Sequence, residues 1–242
     1  MSAPYYEDEW VTLYHGDNAD VLPSVSGVGL VLTSPPYNLT GDGNNSAGTY
    51  FRNLATGYDE HDDAMPHAEY VAWQHRVVSA CWDTLTDDGA IFYNHKPRVG
   101  GDRVRLPLDL IPSEYPIRQV VVWDRGSGMN RQFTYFVPVH EWVLIVAKPA
   151  WRSSTRSIDD VWRIPFETGG EHPAPFPLKL ATTAIGSTSA DLVLDPFAGS
   201  GTTLVAAKSL GRQAIGIERS ERYCEIAAKR LAQGVLDFGA SA

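Results

Sequence analysis

Residues 34–37, Ser-Pro-Pro-Tyr, carry groups that can accept hydrogen bonds from a planar amino group. The Ser34 hydroxyl and the Pro35 carbonyl are acceptors, and a proline has no N–H to compete with them. Acceptors placed in this way would pull an amino nitrogen toward tetrahedral geometry. Pro36 helps to fix the turn, and Tyr37 offers a flat face on which a ring can stack. These residues alone leave two interpretations open, a substrate pocket and a loop with an aromatic plug.

Residues 195–203, Asp-Pro-Phe-Ala-Gly-Ser-Gly-Thr-Thr, form a second group with suitable chemistry. Gly199 and Gly201 have no Cβ, so the backbone can approach a ligand closely, and a helix that follows would offer free N–H groups. Glu218 ends the next predicted strand, where nucleoside-binding α/β folds place an acid that accepts hydrogen bonds from ribose. The spacing predicts a nucleoside site, although Glu218 alone could also be a surface acid at a strand end.

Other common site motifs are absent from the sequence. It contains no Gly-Lys-Ser/Thr phosphate loop, and Ala198 breaks the Gly-x-Ser-x-Gly pattern of hydrolases. The pair His140-Glu141 lacks the second histidine of a zinc protease, and no other residues have metal-ligand spacing. Cys81 and Cys224 each lie in a helical apolar pattern, which predicts buried free thiols rather than a disulfide. We therefore expect no metal.

Hydrophobic periodicity predicts the elements that position these residues. The predicted strands alternate with helices, which indicates the α/β class, with a mostly parallel sheet covered by helices on both faces. A turn is predicted at Asp88-Gly89, and the glycine- and asparagine-rich residues 38–63 are expected to form a mobile loop. The predicted strands are 28–32, 90–93, 117–123, 139–147, 191–195 and 213–218, and the predicted helices are 66–85, 202–210 and a last one capped by Ser220 and ending at about 233.

Together, and in this order, the two motifs resemble those of the β-group, circularly permuted DNA amino-methyltransferases. The resemblance extends from Asp17 to about Gln233 and weakens between residues 97 and 170. It implies a Rossmann-like methyltransferase fold with a seven-stranded sheet, formed by one domain over 1–242. It also implies S-adenosylmethionine as cofactor, and a small segment, 149–177, that serves recognition and closes over the cofactor.

The resemblance also implies residue roles. Phe197, Gly199 and Gly201 would line the methionine side of the cofactor, Glu218 would hold the ribose, and Asp17 would lie near the adenine. A simple turn residue is the alternative interpretation of Asp17. The expected cofactor-binding residues are Asp17, Asp195, Phe197, Gly199, Ser200, Gly201, Thr202, Glu218 and Phe176, and the expected catalytic residues are Ser34, Pro35, Pro36 and Tyr37.

The expected reaction is direct methyl transfer to an exocyclic amino nitrogen of DNA, without a covalent base intermediate because neither cysteine lies in a motif. Family members with serine in the first motif position often act on cytosine N4, whereas those with aspartate usually act on adenine N6. Cytosine N4 is therefore the first choice, and adenine N6 is the alternative. The base would have to be flipped out of the duplex, because its amino group is unreachable inside it. An RNA or protein methyltransferase and a DNA-binding module without catalysis are the other classes.

The net charge of −9 is unevenly distributed along the chain. Residues 1–63 carry ten acids and one base, whereas residues 96–163 carry eleven bases and seven acids. Phosphate contacts are expected in the basic stretch, although solvated loop charges would give the same pattern. Trp151 and Trp162 could contact DNA there, but a core position is favoured. The expected DNA-binding residues are Arg52, Lys96, Arg98, Arg125, Arg131, Arg152 and Arg156.

The cellular setting is expected to be cytoplasmic. Residues 1–10 are acidic and contain no apolar signal core, and no apolar run reaches the length of a membrane helix. The resemblance implies double-stranded DNA as partner, a place in restriction-modification, and a homodimer as one possible assembly.

Overall fold

The computed structural model describes residues 3–38, 65–99, 103–128, 133, 135–165 and 177–233. Two short 3₁₀ helices, Leu22–Ser24 and Pro107–Leu110, accompany the regular elements. The strands are β1 (Tyr6–Glu7), β2 (Val11–His15), β3 (Val28–Thr33), β4 (Leu85–His95), β5 (Arg98–Val99), β6 (Val104–Arg105), β7 (Ile117–Asp124), β8 (His140–Ala147), β9 (Val161–Arg163), β10 (Leu192–Asp195) and β11 (Gln213–Glu218). The helices are α1 (Asn18–Val21), α2 (His67–Thr84), α3 (Leu178–Gly186), α4 (Thr202–Ser209) and α5 (Glu221–Ala232).

One large sheet organises the described residues, with the strand order β1-β2-β11-β10-β3-β4-β8-β7-β9. The strands from β2 to β4 in this order pair in parallel, β8 is antiparallel to both of its neighbours, and β9 is parallel to β7. Six of the nine strands were predicted from the sequence, β2 completes the expected seven, and the short β1 and β9 extend the sheet at its two edges. The prediction of a mostly parallel Rossmann-like sheet is confirmed.

Helices cover both faces of the sheet, as predicted. One face packs against α3, α4 and α5 through side chains such as Leu180, Leu204 and Leu231. The other packs against α1 and α2 through side chains that include Val21 and Val77. Because central strands such as β3 are buried on both faces, they consist of continuous apolar runs rather than alternating ones.

The chain leaves the sheet centre in opposite directions at β3 and β10. From β3 it passes through α2 to β4 on one side, and from β10 through α4 to β11 on the other. The two strands are parallel neighbours, with Val193 opposite Leu30 and Leu194 opposite Val31. Their carboxyl ends therefore lie side by side at a topological switch point, where open α/β sheets bind ligands. The two sequence motifs follow these two ends directly.

One local prediction was wrong, and another holds only in part. Asp88-Gly89 is not a turn, because β4 begins at Leu85 and includes both residues. The β3–β4 register shifts between Val28 and Leu30, and a Cβ on Gly89 would lie 2.9 Å from the Val28 carbonyl oxygen. Glycine is required at position 89 because β3 and β4 approach each other closely there. Ser220 occupies the N-cap position of α5, but its side chain makes no capping hydrogen bond.

Several smaller predictions can be compared with the described residues. Cys81 and Cys224 are buried free thiols, as predicted. Trp162 is buried in the core and Trp151 packs against it, in line with the favoured core position. Within the described ranges no helix has the length and apolar character needed to cross a membrane. Residues 39–63 of the expected mobile loop and 166–176 of the expected closing segment, including Phe176, lie outside the described residues.

Candidate active site

The glycine turn after β10 is held by the carboxylate of Glu218. Gly199 and Gly201 have φ angles of +51° and +80°, in the left-handed region that favours glycine. Glu218 Oε2 accepts a hydrogen bond from the Gly199 N–H at 2.8 Å, and Oε1 accepts one from the Ser220 N–H at 2.8 Å. The half-buried carboxylate therefore joins the turn after β10 to the end of β11.

Asp195 shapes this turn from below. Its carboxylate is buried and accepts hydrogen bonds from Thr203 Oγ1 at 2.5 Å and from the Phe197 N–H at 3.1 Å. Burial raises the pKa of Asp195 to about 6, and the nearby charge of Glu218 acts in the same direction, although the two hydrogen bonds oppose the shift. The structure thus places Asp195 as an internal support of the turn, beneath the surface that a ligand could reach.

Two residues of the same motif face away from the turn. Arg230 of α5 donates to Ser200 Oγ at 3.1 Å and to Thr202 Oγ1 at 3.2 Å. Both residues are buried, and their hydroxyl groups connect the turn to α5. A Cβ on Gly201 would lie 2.9 Å from the Ala227 Cβ, which means that helix packing also requires this glycine.

Asp17 reaches the same edge of the sheet from β2. The Gly16 N–H donates to the Glu218 carbonyl at 2.9 Å, and β2 pairs with β11 so that His15 lies opposite Glu218. Asp17 itself is exposed and accepts from the Ala19 N–H at 2.9 Å as the N-cap of α1. It is therefore a capping residue, and it also lies next to the glycine turn.

A nucleoside cofactor fits these residues. The turn has two left-handed glycines, and carboxylates from Asp17 and Glu218 lie at the ends of adjacent strands. The half-buried Phe197 ring, which meets Trp73 edge-on at 5.7 Å, adds an aromatic surface. Acids that accept from hydroxyl groups, glycines that allow approach and an apolar surface are the elements of such a site.

The acceptor turn after β3 is connected to the sheet by a hydrogen-bond network. Ser34 Oγ and the Tyr37 hydroxyl lie 2.9 Å apart, and the Tyr37 hydroxyl donates to Glu141 Oε2 at 2.8 Å. Asn94 Nδ2 lies 2.6 Å from the Tyr37 hydroxyl, 3.0 Å from Glu141 Oε2 and 3.3 Å from Ser34 Oγ. Arg125 forms an ion pair with Glu141 Oε1 at 3.2 Å. Two hydroxyl groups, an amide and a paired carboxylate thus lie behind the turn.

Sequence reasoning missed Asn94 and Glu141. Asn94 lies near the end of β4 and Glu141 near the start of β8, and both are buried. Both are polar residues within otherwise apolar strands, and this pattern could have indicated a functional role. The pair His140-Glu141 lacks the spacing of a zinc site, but its glutamate contacts the acceptor turn.

The ring of Tyr37, which the sequence predicts as a stacking face, has packing partners of its own. It lies 4.5 Å from the His95 ring at an interplanar angle of 42°, and Lys96 Nζ lies 5.7 Å from its centroid. One contribution of Tyr37 is therefore its hydroxyl group, which connects Ser34 with Glu141.

His95 supports the turn from beneath. Its Nδ1 donates to the Lys96 carbonyl at 2.8 Å, and the Tyr70 hydroxyl lies 2.8 Å from its Nε2 and 2.7 Å from the Pro36 carbonyl, so that the one proton of this hydroxyl can go to either acceptor. Burial lowers the pKa of His95 to about 3, and the charges of Arg98 and Lys96 contribute, although the bond to the Lys96 carbonyl opposes the shift. His95 is thus a neutral support at neutral pH.

This buried histidine predicts a loss of stability in mild acid. In the unfolded chain His95 binds a proton below about pH 6.5, whereas the folded protein resists protonation down to about pH 3. Its contribution is complete above pH 6.5 and is lost progressively below it, by about 2 kcal/mol at pH 5. We expect urea unfolding of His95→Gln to lack this part of the pH dependence. If the free energy of unfolding changed equally with pH in the two proteins between pH 7.5 and 5, this prediction would be wrong.

The expected DNA-binding residues fall into separate groups. Arg98 donates to the Asn38 carbonyl at 2.8 Å, which holds the end of the acceptor turn, and Arg125 pairs with Glu141. These two arginines therefore have structural partners inside the protein, which the sequence did not predict. Lys96 lies half-buried beside Tyr37.

Arg152 lies at the edge of the sheet opposite the two turns, because it follows the end of β8, where Ala147 pairs with Ala90 and the Ser154 N–H donates to the Ser187 carbonyl. Arg152 and Arg156 are exposed, and Arg152 also donates to the Pro149 and Trp151 carbonyls. Arg52 and Arg131 lie outside the described residues.

A glycine turn and an acceptor turn at the switch point of a mostly parallel sheet define a Rossmann-like enzyme with a nucleoside cofactor. The model of the N6_N4_Mtase family, described as DNA methylase, matches residues 28–229. This range contains both motifs and most of the chain, and the protein belongs to this family of DNA amino-methyltransferases.

Curated relatives cover nearly the whole chain. The type II methyltransferase M.ScaI of Streptomyces caespitosus is 29% identical over 274 residues, which cover 96% of this chain and 84% of the relative. The type II methyltransferase M2.MboI of Moraxella bovis is 26% identical and covers 94% of this chain and 90% of its own length.

Solved structures share the architecture. The PvuII DNA methyltransferase, described as cytosine-N4-specific, superimposes with a TM-score of 0.75 over 99% of this chain and 91% of its own, at 22% identity. At that identity the likeness shows the fold alone. A putative DNA modification methylase of Thermus thermophilus, solved in complex with S-adenosyl-L-methionine, has a TM-score of 0.66 and 26% identity over 93% of this chain and 96% of its own.

Proposed function

We propose that this protein methylates the exocyclic N4 of a cytosine that is flipped out of double-stranded DNA. The observation that carries the proposal is the pairing of β3 with β10, because the acceptor turn and the glycine turn leave the sheet side by side. A bound nucleoside cofactor and an amino group held at Ser34 would thus be neighbours, which is the requirement for direct transfer.

The cofactor is S-adenosylmethionine, which supplies a methyl group bonded to a positively charged sulfur. The turn with Gly199 and Gly201 provides close backbone approach, Glu218 accepts from the ribose hydroxyls, and Phe197 offers an apolar surface. Asp17 is suited to the adenosine end, since it lies exposed beside the Glu218 strand end. Asp195, Ser200 and Thr202 act indirectly, by holding the turn in shape.

Acceptor groups on the amino nitrogen are what the reaction needs from the protein. The lone pair of an exocyclic amino group is delocalised into its ring, which makes the nitrogen a poor nucleophile. The Ser34 hydroxyl and the Pro35 carbonyl accept its two N–H bonds and localise the lone pair on nitrogen. Because these acceptors are held before the substrate arrives, little reorganisation is needed during transfer.

The choice of cytosine rests on the serine of the acceptor turn. Ser34 is a neutral acceptor, the type often found in cytosine-N4 enzymes of this family, and the similarly folded PvuII enzyme is described as cytosine-N4-specific. Flipping follows from access, because the amino group is paired inside the duplex and cannot reach a recessed turn. The curated relatives are named type II methyltransferases, and protection of DNA in a restriction-modification system is the matching role.

DNA is expected to approach the edge of the sheet where both turns lie. Lys96, which follows the end of β4 beside Tyr37, can make a phosphate contact at this edge that falls off with salt. Phe136, 98% exposed shortly before β8, offers an aromatic group for unstacked bases. A local basic surface is compatible with an overall charge of −9, since binding depends on the field near the site.

Nucleoside mass spectrometry tests the proposal directly. DNA is incubated with the protein and isotope-labelled S-adenosylmethionine, digested, and searched for labelled methylated nucleosides. We expect label in N4-methylcytosine. Label in N6-methyladenine would replace the proposed base but keep the reaction. No label in any DNA nucleoside, with cofactor binding demonstrated by titration, would overturn DNA as substrate and direct the search to RNA and protein.

A further inference from the structure

A continuous chain of hydrogen bonds runs from the opening of the acceptor turn into the sheet. It begins at the half-buried Ser34, continues through the Tyr37 hydroxyl at 2.9 Å, and reaches Glu141 Oε2 after a further 2.8 Å. Glu141 is 6% exposed and comes from β8, a strand that carries neither motif. The chain therefore ends on a buried carboxylate that the proposed function has not yet used.

The chemistry of the groups fixes the direction of the protons along this chain. A carboxylate paired with Arg125 can only accept, so the single proton of the Tyr37 hydroxyl points to Glu141. Asn94 Nδ2 donates to the Tyr37 oxygen at 2.6 Å, so that oxygen acts as an acceptor toward its other neighbours. The Ser34 hydroxyl must then donate to Tyr37, which leaves a Ser34 lone pair for the substrate.

We propose that Glu141 is a positioning residue that orients the Ser34 lone pair toward the amino group and takes up the proton this group releases. The inference rests on the proposed function, since it requires an amino nitrogen at Ser34. Hydrogen bonds in such a chain polarise one another, so the buried negative charge makes Ser34 a stronger acceptor than an isolated hydroxyl.

The proton movement balances without any further reactant. When the nitrogen lone pair has formed the new N–C bond, the nitrogen carries a positive charge and one proton more than the product. That proton passes to Ser34 Oγ, the Ser34 proton passes to the Tyr37 oxygen, and the Tyr37 proton passes to Glu141 Oε2. The electrons of the broken N–H bond return to the nitrogen as its lone pair. The product is neutral, Ser34 and Tyr37 regain their hydroxyl protons, and Glu141 has become a neutral acid.

Arg125 favours the charged form of Glu141, and the neighbouring Asn94 amide can accommodate the protonated form. Arg125 balances the carboxylate and also donates to the Pro138 carbonyl at 2.9 Å, which fixes the guanidinium group. Within the described part of the chain, the Asn94 Oδ1 atom is buried and has no hydrogen-bond partner. Rotation of this amide by 180° would present Oδ1 to Glu141, so a donor at that position could be accommodated.

Glu141→Gln is the informative variant, because it removes the negative charge and keeps the shape of the side chain. After rotation of the Asn94 amide, Asn94 Oδ1 can accept a hydrogen bond from the new N–H group. We expect the variant's single-turnover methyl transfer to DNA to be slower by on the order of 10²-fold. Cofactor affinity and the KM for DNA should stay within about twofold, because Glu141 touches neither ligand. Glu114→Gln, which removes an exposed charge, should retain the wild-type rate.

A double-mutant cycle separates a proton path from a structural support. Tyr37→Phe interrupts the same chain at its middle, so the double variant with Glu141→Gln should be no slower than the slower single variant. Additive losses, or losses that follow a lowered melting temperature, would overturn the inference. Tyr37→Phe also tests it alone if Glu141→Gln does not fold, since a wild-type rate there would exclude the path.

The possible failures are distinguishable. If the wild-type protein methylates DNA and Glu141→Gln does so at the same rate, the inference on Glu141 is wrong and the proposed function stands. If the wild-type protein transfers no methyl group to DNA, the proposed function fails, and the inference fails with it.

Discussion

Ser34→Ala is expected to slow methyl transfer to DNA by on the order of 10²- to 10³-fold, with cofactor affinity unchanged. The substitution removes the hydroxyl that accepts from the amino group and starts the hydrogen-bond chain to Glu141. Loss of one preorganised polar group in an active site typically has an effect of this size. The rate is measured in single turnovers with labelled cofactor, and the affinity by calorimetric titration.

The specificity of this effect can be checked with a second serine. Ser209 donates to the Ala206 carbonyl at 2.8 Å at the end of α4, so Ser209→Ala removes one hydroxyl away from the acceptor turn. We expect it to retain the wild-type rate. Equal weakening of cofactor binding and of transfer in Ser34→Ala would contradict the assignment of this turn to the substrate.

Glu218→Gln is expected to weaken S-adenosylmethionine binding by roughly 10- to 100-fold. The carboxylate accepts from the Gly199 and Ser220 N–H groups and is proposed to accept from ribose. Hydrogen bonds to a charged group contribute about 1.5–3 kcal/mol each, and loss of about one such contribution gives that change in affinity. Calorimetric titration with S-adenosylmethionine gives the dissociation constant, and a saturating concentration should restore much of the transfer rate.

Glu225→Gln is the matched control for this effect. Glu225 is exposed on α5 and pairs with Lys229 at 2.7 Å, so its neutralisation should leave the cofactor affinity unchanged. Undiminished affinity in Glu218→Gln would place the ribose contact elsewhere. A lowered melting temperature with normal affinity in the surviving folded protein would assign Glu218 only to the structure of the turn.

The two largest effects concern different steps because the two turns lie on different strands. Ser34 follows β3 and Glu218 ends β11, and β10 separates the two strands in the sheet. Substitutions on one side should therefore act mainly on transfer, and those on the other mainly on cofactor binding. The Gly201 position is less suitable for such a test, because a side chain there would collide with Ala227 and disturb α5.

Local patterns in the sequence determined much of the fold. The apolar runs of β3, β10 and β11 and the spacing of α2 are visible in short stretches of chain, and the structure has these elements within a few residues of the prediction. Both motifs were also readable, because a strand, a turn and a helix follow one another without interruption. Short or polar elements such as β1, β2 and α1 were missed, since they have too few residues to show a period.

Tertiary structure alone decided which groups meet at the site. Tyr37 and Glu141 are 104 residues apart, and they touch because β4 pairs with β8 and brings the start of β8 to the acceptor turn. Arg230 reaches Ser200 and Thr202 only because α5 packs beside the glycine turn. The sequence by itself determined the two turns, whose chemistry lies in neighbouring residues. The residues that hold these turns from other elements, such as Glu141 and Arg230, are brought there by strand order and register. Many contacts between distant residues determine this order and register together, so only the tertiary structure shows which residues they are.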